Sequence, residues 1–296
     1  MKQVEHLLGY RASIKVMDAT LRDGGLVNDF YFTDDFVKAL YKTNLEAGVD
    51  YMEMGYRASK KVFDETKFGK WKFCSDDHIR EIVGENDTDL KLAIMADIGR
   101  HDKNDFDEKV NSPVDMVRVA AYIHQMPEAI DMIEDAHKKG YETTCNIMAI
   151  SQTRESDLKV ALDMLGKTPV DTIYIVDSFG SIYPEEMKRI VDIYMEAATK
   201  YGKQLGIHAH NNQQLAFANT IEACGDGVNW LDATYKGMGR GAGNCAMELL
   251  LGFLKNPKYN TYPVFRFISD YMVKLEEDGV VWGYDLQYLM TGQLNQ

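Results

Sequence analysis

The sequence predicts an α/β fold, a (β/α)8 TIM barrel with additional C-terminal helices, and three observations carry this prediction. Eight short runs of β-forming residues alternate with helical stretches along the 296 residues. Strands in such an alternation run parallel, because each helix returns the chain to the same edge of the sheet. No Gly-x-Gly-x-x-Gly follows the first strand, which disfavours a doubly wound open sheet. Eight strand–helix units therefore favour the closed barrel.

The elements follow one another in a regular order. The predicted strands are runs in which β-branched and apolar residues dominate: Ile14–Met17, Val49–Met54, Leu90–Ala96, Met116–Ala120, Thr143–Ala149, Thr172–Val176, Leu205–Ala209 and Trp230–Ala233. The stretches between them with helical spacing are Asp34–Ala47, Asp76–Val83, Pro127–Lys139, Glu155–Leu165, Pro184–Lys200, Gln213–Cys224 and Asn244–Leu254. Thr33 and Pro184 mark helix starts, and Gly48, Gly140 and Gly202 mark helix ends. The interval between the third and fourth strands is polar and poorly periodic, and it predicts a helix only weakly.

Two segments are expected along the chain. Residues 1–262 form the barrel domain, because no Pro-rich linker, repeat or low-complexity tract divides them. Residues 263–296 form a helical extension, with an amphipathic helix at Val264–Glu277 and a shorter helix after Trp282-Gly283-Tyr284. We expect this extension to pack on the barrel or at a subunit contact, and we expect a homodimer.

Charge and composition exclude several classes of protein. Lys plus Arg number 33 against 46 Asp plus Glu, and the net charge of −13 disfavours binding to nucleic acid or to anionic membrane surfaces. No apolar run approaches the length of a membrane-spanning helix, and the start of the chain lacks a secretory signal. The four cysteines have neither zinc-type spacing nor the density of a disulfide scaffold. We therefore expect a cytoplasmic protein.

Two histidines and one aspartate predict a divalent-metal site. His208 and His210 are two residues apart on a predicted strand, so their imidazoles project to the same side. Asp23 follows the first strand and supplies a carboxylate at the same barrel mouth. Such a set suits Mn²⁺, Mg²⁺, Fe²⁺, Co²⁺ or Zn²⁺ with positions open for substrate. The alternative is a pair of hydrogen-bonded histidines without a metal.

Further polar residues fall at the ends of other predicted strands. Arg22 is expected to stabilise an enolate oxygen, or else to form a salt bridge at the barrel mouth. Glu53 and Asp177 are expected to orient a histidine, or to be structural carboxylates. His101 is an acid/base candidate, with an ordinary loop histidine as the alternative. The glycine-rich run from Gly237 to Asn244 could bind an anion or form a tight turn, and Asn244 could reach the metal.

Taken together, these motifs resemble the DRE-TIM metallolyase superfamily, which includes HMG-CoA lyase, the isopropylmalate and homocitrate synthases, and the 4-hydroxy-2-oxovalerate aldolases. The matching pieces, in the family's order, are Asp18–Gly25, Val176–Gly180, His208–Asn212 and Gly237–Asn244. The resemblance implies that Asp23, His208 and His210 bind the metal, with Asn244 as a further ligand in some branches. It also implies that Arg22 steadies an enolate while a carbon–carbon bond forms or breaks next to a 2-oxo acid.

The aldolase branch is the most similar, and it implies a retro-aldol step that yields pyruvate and an aldehyde. We expect Mn²⁺ or Mg²⁺ as the cofactor, with Zn²⁺ or Co²⁺ as alternatives, and no partner dehydrogenase. One departure concerns Val27, which stands where those aldolases commonly place a histidine base. The candidate replacements are metal-bound hydroxide, His101, Tyr122 and Tyr284, and the alternative is a substrate that differs from the familiar one. Two rival functions are a Claisen-type condensation of acetyl-CoA with a 2-oxo acid and a catalytically silent barrel that serves as a binding subunit.

Overall fold

The barrel predicted from the sequence is confirmed. A computed structural model describes residues 13–102 and 105–296 of the chain. Eight parallel strands close into a barrel in chain order, and β1 pairs with β8 from Lys15–Trp230 to Asp18–Ala233. The strands are β1 Lys15–Asp18, β2 Tyr51–Tyr56, β3 Lys91–Asp97, β4 Met116–Ala121, β5 Glu142–Ile147, β6 Thr172–Asp177, β7 Gln204–Ala209 and β8 Trp230–Ala233.

Helices surround this barrel, and their ends follow local capping chemistry. Among the described residues they are α1 Thr20–Gly24, α2 Asp34–Ala47, α3 Asp76–Val83, α4 Met126–Lys138, α5 Glu155–Gly166, α6 Pro184–Tyr201, α7 Ala216–Gly225, α8 Met247–Leu254, α9 Thr261–Phe267, α10 Val273–Glu277 and α11 Leu286–Leu294. The Thr33 hydroxyl caps α2 by accepting from the Phe36 amide at 3.2 Å. Gly48 ends the helix in the left-handed region at φ 74°.

The structure differs from the prediction at element ends and in the connections. The charged turn after β1 is a short helix, α1, which holds both Arg22 and Asp23. Between β3 and β4, the described residues contain one 3-10 turn, Lys109–Asn111, in place of the weakly predicted helix. The predicted helix at Asn244–Leu254 begins instead at Met247, and Asn244 forms an isolated β-bridge with His210.

The barrel interior is layered, because alternate residues of each strand point inward. One buried layer is largely apolar and comprises Met17, Tyr51, Ala93, Met116, Tyr174 and Trp230. Two residues further along their strands lie Glu53, Arg118 and Asp232, which are also buried. His208 of β7 occupies the same level, since it is two residues beyond Gly206, which pairs with Trp230. A charged layer therefore lies directly beneath the mouth of the barrel.

The C-terminal extension contacts the barrel through α9 and α11, among other segments. The Phe267 ring at the end of α9 lies 5.2 Å from the Phe36 ring of α2 and 5.1 Å from the Tyr235 ring. Helix α11 lies at the mouth, where Thr291 accepts a hydrogen bond from the Asn212 amide at 3.3 Å. Across the described ranges, every helix falls short of the length and hydropathy required to cross a bilayer.

Candidate metal centre and active site

Asp23, His208 and His210 meet at the mouth of the barrel. Asp23 is supplied by α1 and His208 by β7, and His210 is the residue directly after β7. One ligand atom from each residue lies within 4.8 Å of the others. Asp23 Oδ2 is 4.0 Å from His208 Nε2 and 3.9 Å from His210 Nδ1. The structure thus brings together the three residues that the sequence predicts as metal ligands.

The chemistry of these donors fits a divalent cation. Burial acts to raise the pKa of Asp23, but the charges of His210, Arg22 and His208 outweigh it and hold that pKa below its ordinary value. Burial lowers the pKa of His210 to about 3. At neutral pH the cluster therefore presents a carboxylate and a neutral imidazole, which are the protonation states that metal ligands require.

Asn244 adds an amide group to the cluster. Its Nδ2 donates to Asp23 Oδ2, while its buried Oδ1 has no hydrogen-bond partner within the described parts of the chain. Buried polar atoms are rarely left unpaired, so this oxygen is suited to a ligand that the cluster would hold. Asn244 therefore lies in the same cluster as the three predicted ligands.

The glycine-rich loop makes room for this cluster. A Cβ atom on Gly239 would lie 2.1 Å from Asn244 Nδ2 and 2.5 Å from Asp23 Oδ2, so a side chain at this position would displace both groups. The loop's Arg240 donates to the Ser178 carbonyl, and the Arg240 carbonyl lies 3.3 Å from His210 Nδ1. The loop therefore serves as a close-packed wall of the site, with Arg240 held in place by a hydrogen bond.

Arg22 connects the carboxylates of the mouth. Its Nη1 donates to Asp23 Oδ1 and its Nε donates to Glu53 Oε2, both at 2.8 Å. Its Nη2 lies 3.5 Å from His208 Nε2 and thus next to the three predicted ligands. The salt bridge proposed from the sequence is present, and two carboxylates fix the guanidinium beside the three predicted ligands.

A chain of buried charges continues beneath Arg22. Arg118 Nη1 forms an ion pair with Glu53 Oε2 at 2.9 Å, and its Nη2 donates to Asp232 Oδ2 at 2.7 Å. The same Asp232 oxygen lies 3.0 Å from His208 Nδ1. A carboxylate at Nδ1 fixes the imidazole orientation and leaves Nε2 for the metal. Removing one charge from such a network leaves the charge of its partner buried and uncompensated. We therefore expect substitution of any one of these residues to disturb the positions of the others.

Asp177 and His101 are placed differently from the other sequence-based candidates. The buried Asp177 carboxylate accepts from the Ser181 amide at 3.0 Å and from the Ile182 amide at 3.3 Å. Its contacts therefore brace the loop after β6. His101 Nδ1 lies 3.0 Å from the Asp97 carbonyl. Neither residue belongs to the cavity wall that the described residues form around the cluster.

A cavity of about 270 Å³ opens onto the cluster. Its wall includes Arg22, Asp23, Tyr56, Lys72, Asp97, Tyr122, Asn146, His208, His210 and Arg240. A neighbouring lobe of about 350 Å³ contains Val27 together with Tyr288 and Thr291 of α11. The volumes fit a small substrate. Val27 lies in the wall of the neighbouring lobe, next to the site.

Sequence reasoning missed Arg118, Asp232 and Lys72. Arg118 and Asp232 interrupt predicted strands at positions that share an inward face with their neighbours two residues away, and this parity was the available signal. Lys72 lies in the long connection from β2 to α3, where no periodic pattern marks a side chain as buried. It could be recognised only from the folded chain.

Known proteins are similar to this chain in sequence and in fold. A family model described as HMGL-like matches residues 13–266, which is well over half of the chain. The chain belongs to the HMGL-like family. The resemblance identified from its motifs is thereby confirmed.

Curated proteins and solved structures are similar to the chain over most of its length. The chain is 28% identical over 242 residues to an oxaloacetate decarboxylase of Mycobacterium tuberculosis, covering 81% of this chain and 69% of that protein. It is 29% identical over 247 residues to a 4-hydroxy-2-oxovalerate aldolase of Thermus thermophilus, covering 83% and 70%.

A solved N-terminal domain from Bacteroides vulgatus, provisionally named as an aldolase, superposes with a TM-score of 0.77 at 30% identity, covering 95% of this HMGL-like chain and 93% of that one. The Bacillus subtilis HMG-CoA lyase superposes with a TM-score of 0.70 at 15% identity, covering 95% and 98%. The second likeness concerns the fold alone.

Proposed function

We propose that this protein is a divalent-metal-dependent carbon–carbon lyase that acts on a 2-oxo acid in the aldol direction, retro-aldol or condensation. The observation that carries the proposal is the meeting of Asp23, His208 and His210 within 4.8 Å at a cavity in the barrel mouth. The names of the relatives support a lyase, because both oxaloacetate decarboxylases and 4-hydroxy-2-oxovalerate aldolases break a carbon–carbon bond.

The residues around the cavity divide the task between holding the cation and receiving negative charge. Asp23, His208 and His210 would hold the metal, with the Asn244 amide oxygen as a further ligand. When bound, the metal supplies Lewis-acid polarisation of the 2-oxo group. Arg22 donates to the oxygen on which negative charge develops, and its two carboxylate partners keep the guanidinium oriented for that contact.

Proton transfer requires a group other than Val27, because the valine side chain carries no exchangeable proton. Tyr122 lies in the cavity wall, whereas the Tyr284 side chain is largely exposed and His101 is directed to a backbone carbonyl. Of the candidates named from the sequence, we therefore favour Tyr122 as the proton-transfer group. Glu53 acts through Arg22, and Asp177 acts through the loop after β6.

Mutation of the cluster separates metal binding from catalysis. Asp23→Asn and His210→Ala should lose bound metal and activity, whereas Arg22→Ala should keep the metal and lose at least 100-fold in rate. The measurements are metal content by elemental analysis and metal-dependent incorporation of solvent deuterium at C3 of pyruvate. His137→Ala, an exposed histidine on α4, is the matched control and should change neither quantity.

The outcomes distinguish the rival functions. Equal metal content and equal exchange in the three cluster variants would refute the assignment of roles. No exchange by the unmodified protein under any divalent metal would support a silent barrel. Turnover of acyl-CoA with 2-oxo acids, without release of pyruvate from hydroxy-oxo acids, would support Claisen-type condensation. Mn²⁺ or Mg²⁺ as the metal, a cytoplasmic location and a homodimer remain predictions.

Decarboxylation is the second candidate, because the first relative is named for it. Loss of CO₂ from a 3-carboxy-2-oxo acid leaves the same enolate that a retro-aldol cleavage leaves. Release of CO₂ faster than release of any aldehyde, from substrates supplied at equal concentration, would favour decarboxylation over the aldol reaction.

A further inference from the structure

Lys72 is a buried cation in the wall of the active-site cavity. The residue is 6% exposed, and its Nζ lies 4.3 Å from the centroid of the Phe63 ring, 4.6 Å from that of Tyr56 and 5.1 Å from that of Phe30. A fourth ring, that of Phe68, lies at 5.7 Å. Aromatic faces attract an ammonium group, but they do not neutralise its charge.

No carboxylate within residues 13–102 and 105–296 lies at ion-pair distance from this ammonium. The electrostatic neighbour of opposite sign is Asp97, and its Oδ2 already lies 3.6 Å from Arg100 Nη1. Buried charges are normally paired, because an isolated charge is costly to remove from water. Lys72 is therefore an exception that needs a partner.

The backbone holds Lys72 at this position. Its carbonyl accepts from the Ala58 amide at 3.2 Å, and Arg57 forms a β-bridge with Phe73. The turn that carries Lys72 is preceded by Gly69, where a Cβ atom would lie 2.0 Å from the Phe30 carbonyl oxygen. The connection from β2 to α3 is thus folded back against the barrel, and the lysine is fixed by the fold.

Lys72 shares the cavity with the predicted metal ligands and with Arg22. Both cations lie near the Tyr56 ring. Arg22 Cζ lies 5.9 Å from the ring centroid, and Lys72 Nζ lies 4.6 Å from it. Arg22 is already paired with Asp23 and Glu53, and Arg240 with the Ser178 carbonyl. A ligand in the cavity would therefore meet two cations that have no carboxylate partner among the described residues, the exposed Arg240 and the buried Lys72, and Lys72 is the one that water does not solvate.

We propose that Lys72 binds an anionic group of the substrate that is remote from the metal ligands, so the substrate is a 2-oxo acid with a second acid group. This inference rests on the proposed function, because it takes the cluster as the site of the 2-oxo acid end. Burial lowers the pKa of Lys72, and a bound carboxylate would favour its charged form.

Lys72 would thus be an anchor for the distal acid group, and this anchor favours a reaction in which that group remains on the product. A carboxylate held by an ammonium is stabilised as an anion, so its loss as CO₂ would forfeit that contact. In a 4-hydroxy-2-oxo diacid, the C3–C4 bond breaks and its electron pair enters the enolate. The 4-hydroxyl proton leaves to a base, and the enolate takes a proton at C3. The products are pyruvate and an aldehyde that keeps the carboxylate.

Two substrates of matched shape test this specificity. 4-Hydroxy-2-oxoglutarate carries a carboxylate where 4-hydroxy-2-oxovalerate carries a methyl group. The unmodified enzyme with Mn²⁺ should cleave the diacid with at least a tenfold higher kcat/KM. Lys72→Met should remove most of this ratio, mainly through KM for the diacid, and Lys72→Arg should restore part of it.

The control is Lys67→Met, which removes an exposed lysine from the same connection and should leave the ratio unchanged. Circular dichroism melting establishes that each variant is folded. A ratio near one in the unmodified enzyme, or a ratio that persists in folded Lys72→Met, would overturn the inference.

A binding measurement keeps the test independent of the proposed reaction. Calorimetry with Mn²⁺ compares 2-oxoglutarate with 2-oxopentanoate, which has a methyl group in place of the distal carboxylate. Tighter binding of 2-oxoglutarate by at least tenfold, lost in Lys72→Met and kept in Lys72→Arg, supports the anchor even if neither hydroxy-oxo acid is cleaved. In that case the lyase proposal would fail, while the proposed binding of the distal acid group by Lys72 would stand. Equal affinity for both acids, or no binding of either, overturns the anchor.

Discussion

Two side chains that carry the proposed chemistry at the barrel mouth, His208 and Arg22, are held by other buried residues. Asp232 fixes His208, Glu53 and Asp23 fix Arg22, and Arg118 joins the two carboxylates beneath them. Buried ion pairs add little net stability, since desolvation offsets their attraction. Their contribution here is to orient the groups above them. Burial of the apolar layer beneath them offsets the free energy of desolvating the charges.

The titration of Asp177 provides a test at the scale of one residue. Burial raises the pKa of this carboxyl to about 7, above the value of about 4 in an unfolded chain. Between these values the folded state binds more protons, so the stabilisation present below about pH 4 is lost as the pH rises towards 7. Asp177→Asn should flatten this dependence, which is on the order of 3 kcal/mol in the free energy of unfolding.

Urea denaturation of both proteins at pH 4 and pH 7 measures the effect. Asp278→Asn makes the same change of charge at an exposed position and should leave the dependence unaltered. A pH dependence in Asp177→Asn as steep as that of the unmodified protein would show that another group is responsible.

The sequence revealed the residues that stand at the ends of recognisable strands. Asp23, His208 and His210 were found because their spacing and their place at strand ends are local properties. Lys72 was not found, because its importance depends on four aromatic rings drawn from separate parts of the chain. Burial without a counter-ion is a property of the fold, and a sequence pattern does not record it.

At the scale of the element, close approach between neighbouring strands determines which residues fit the barrel interior. Gly206 of β7 faces Tyr174 of β6, with which it is in register. A Cβ atom on Gly206 would lie 2.5 Å from the Tyr174 ring, well inside van der Waals contact. The ring is fully buried, and Arg118 Cζ lies 4.5 Å from its centroid.

Gly206→Ala should therefore destabilise the protein by about 1–3 kcal/mol through overpacking. Gly252→Ala is the matched control, because Gly252 lies in α8 with nothing within 4 Å of an added Cβ atom. Alanine is the better helix former, so the control should stabilise by about 0.5–1 kcal/mol. Chemical denaturation measures both values, and equal signs for the two variants would contradict this account of the interior.

Elements with strong local signals were predicted closely, and the others were not. The bounds of α2 and α3 agree with the sequence because Thr33 and Ser75 cap their starts. The short helix α1 has no side-chain cap and follows β1 after one residue, so it was interpreted as a turn. Met247, not Asn244, begins α8, and Asn244 is hydrogen-bonded to Asp23 in the cluster at the barrel mouth.

At the scale of the whole molecule, closure of the barrel joins distant parts of the chain into one site. Asp23 and Asn244 are separated by 221 positions in the sequence, yet their side chains are hydrogen-bonded. This contact exists only because β1 pairs with β8 and places the first and last strand ends side by side. The fold class was predictable from the alternation of elements, whereas the exact contacts at the mouth depend on the register in which the barrel closes.

A ligand that binds this closed barrel and not the unfolded chain must stabilise the fold as a whole. At a metal concentration 100 times the dissociation constant, the gain is about 2.7 kcal/mol, which corresponds to a rise of about 5 °C in Tm. We expect this rise with at least one of Mn²⁺, Mg²⁺, Co²⁺ and Zn²⁺ in thermal melts, with reversal by a chelator. Asp23→Asn should abolish the rise, because it removes the carboxylate that α1, the short helix after β1, contributes, while His137→Ala should retain it. Melting curves that do not move with any of these metals would contradict a site assembled by the closure of the barrel.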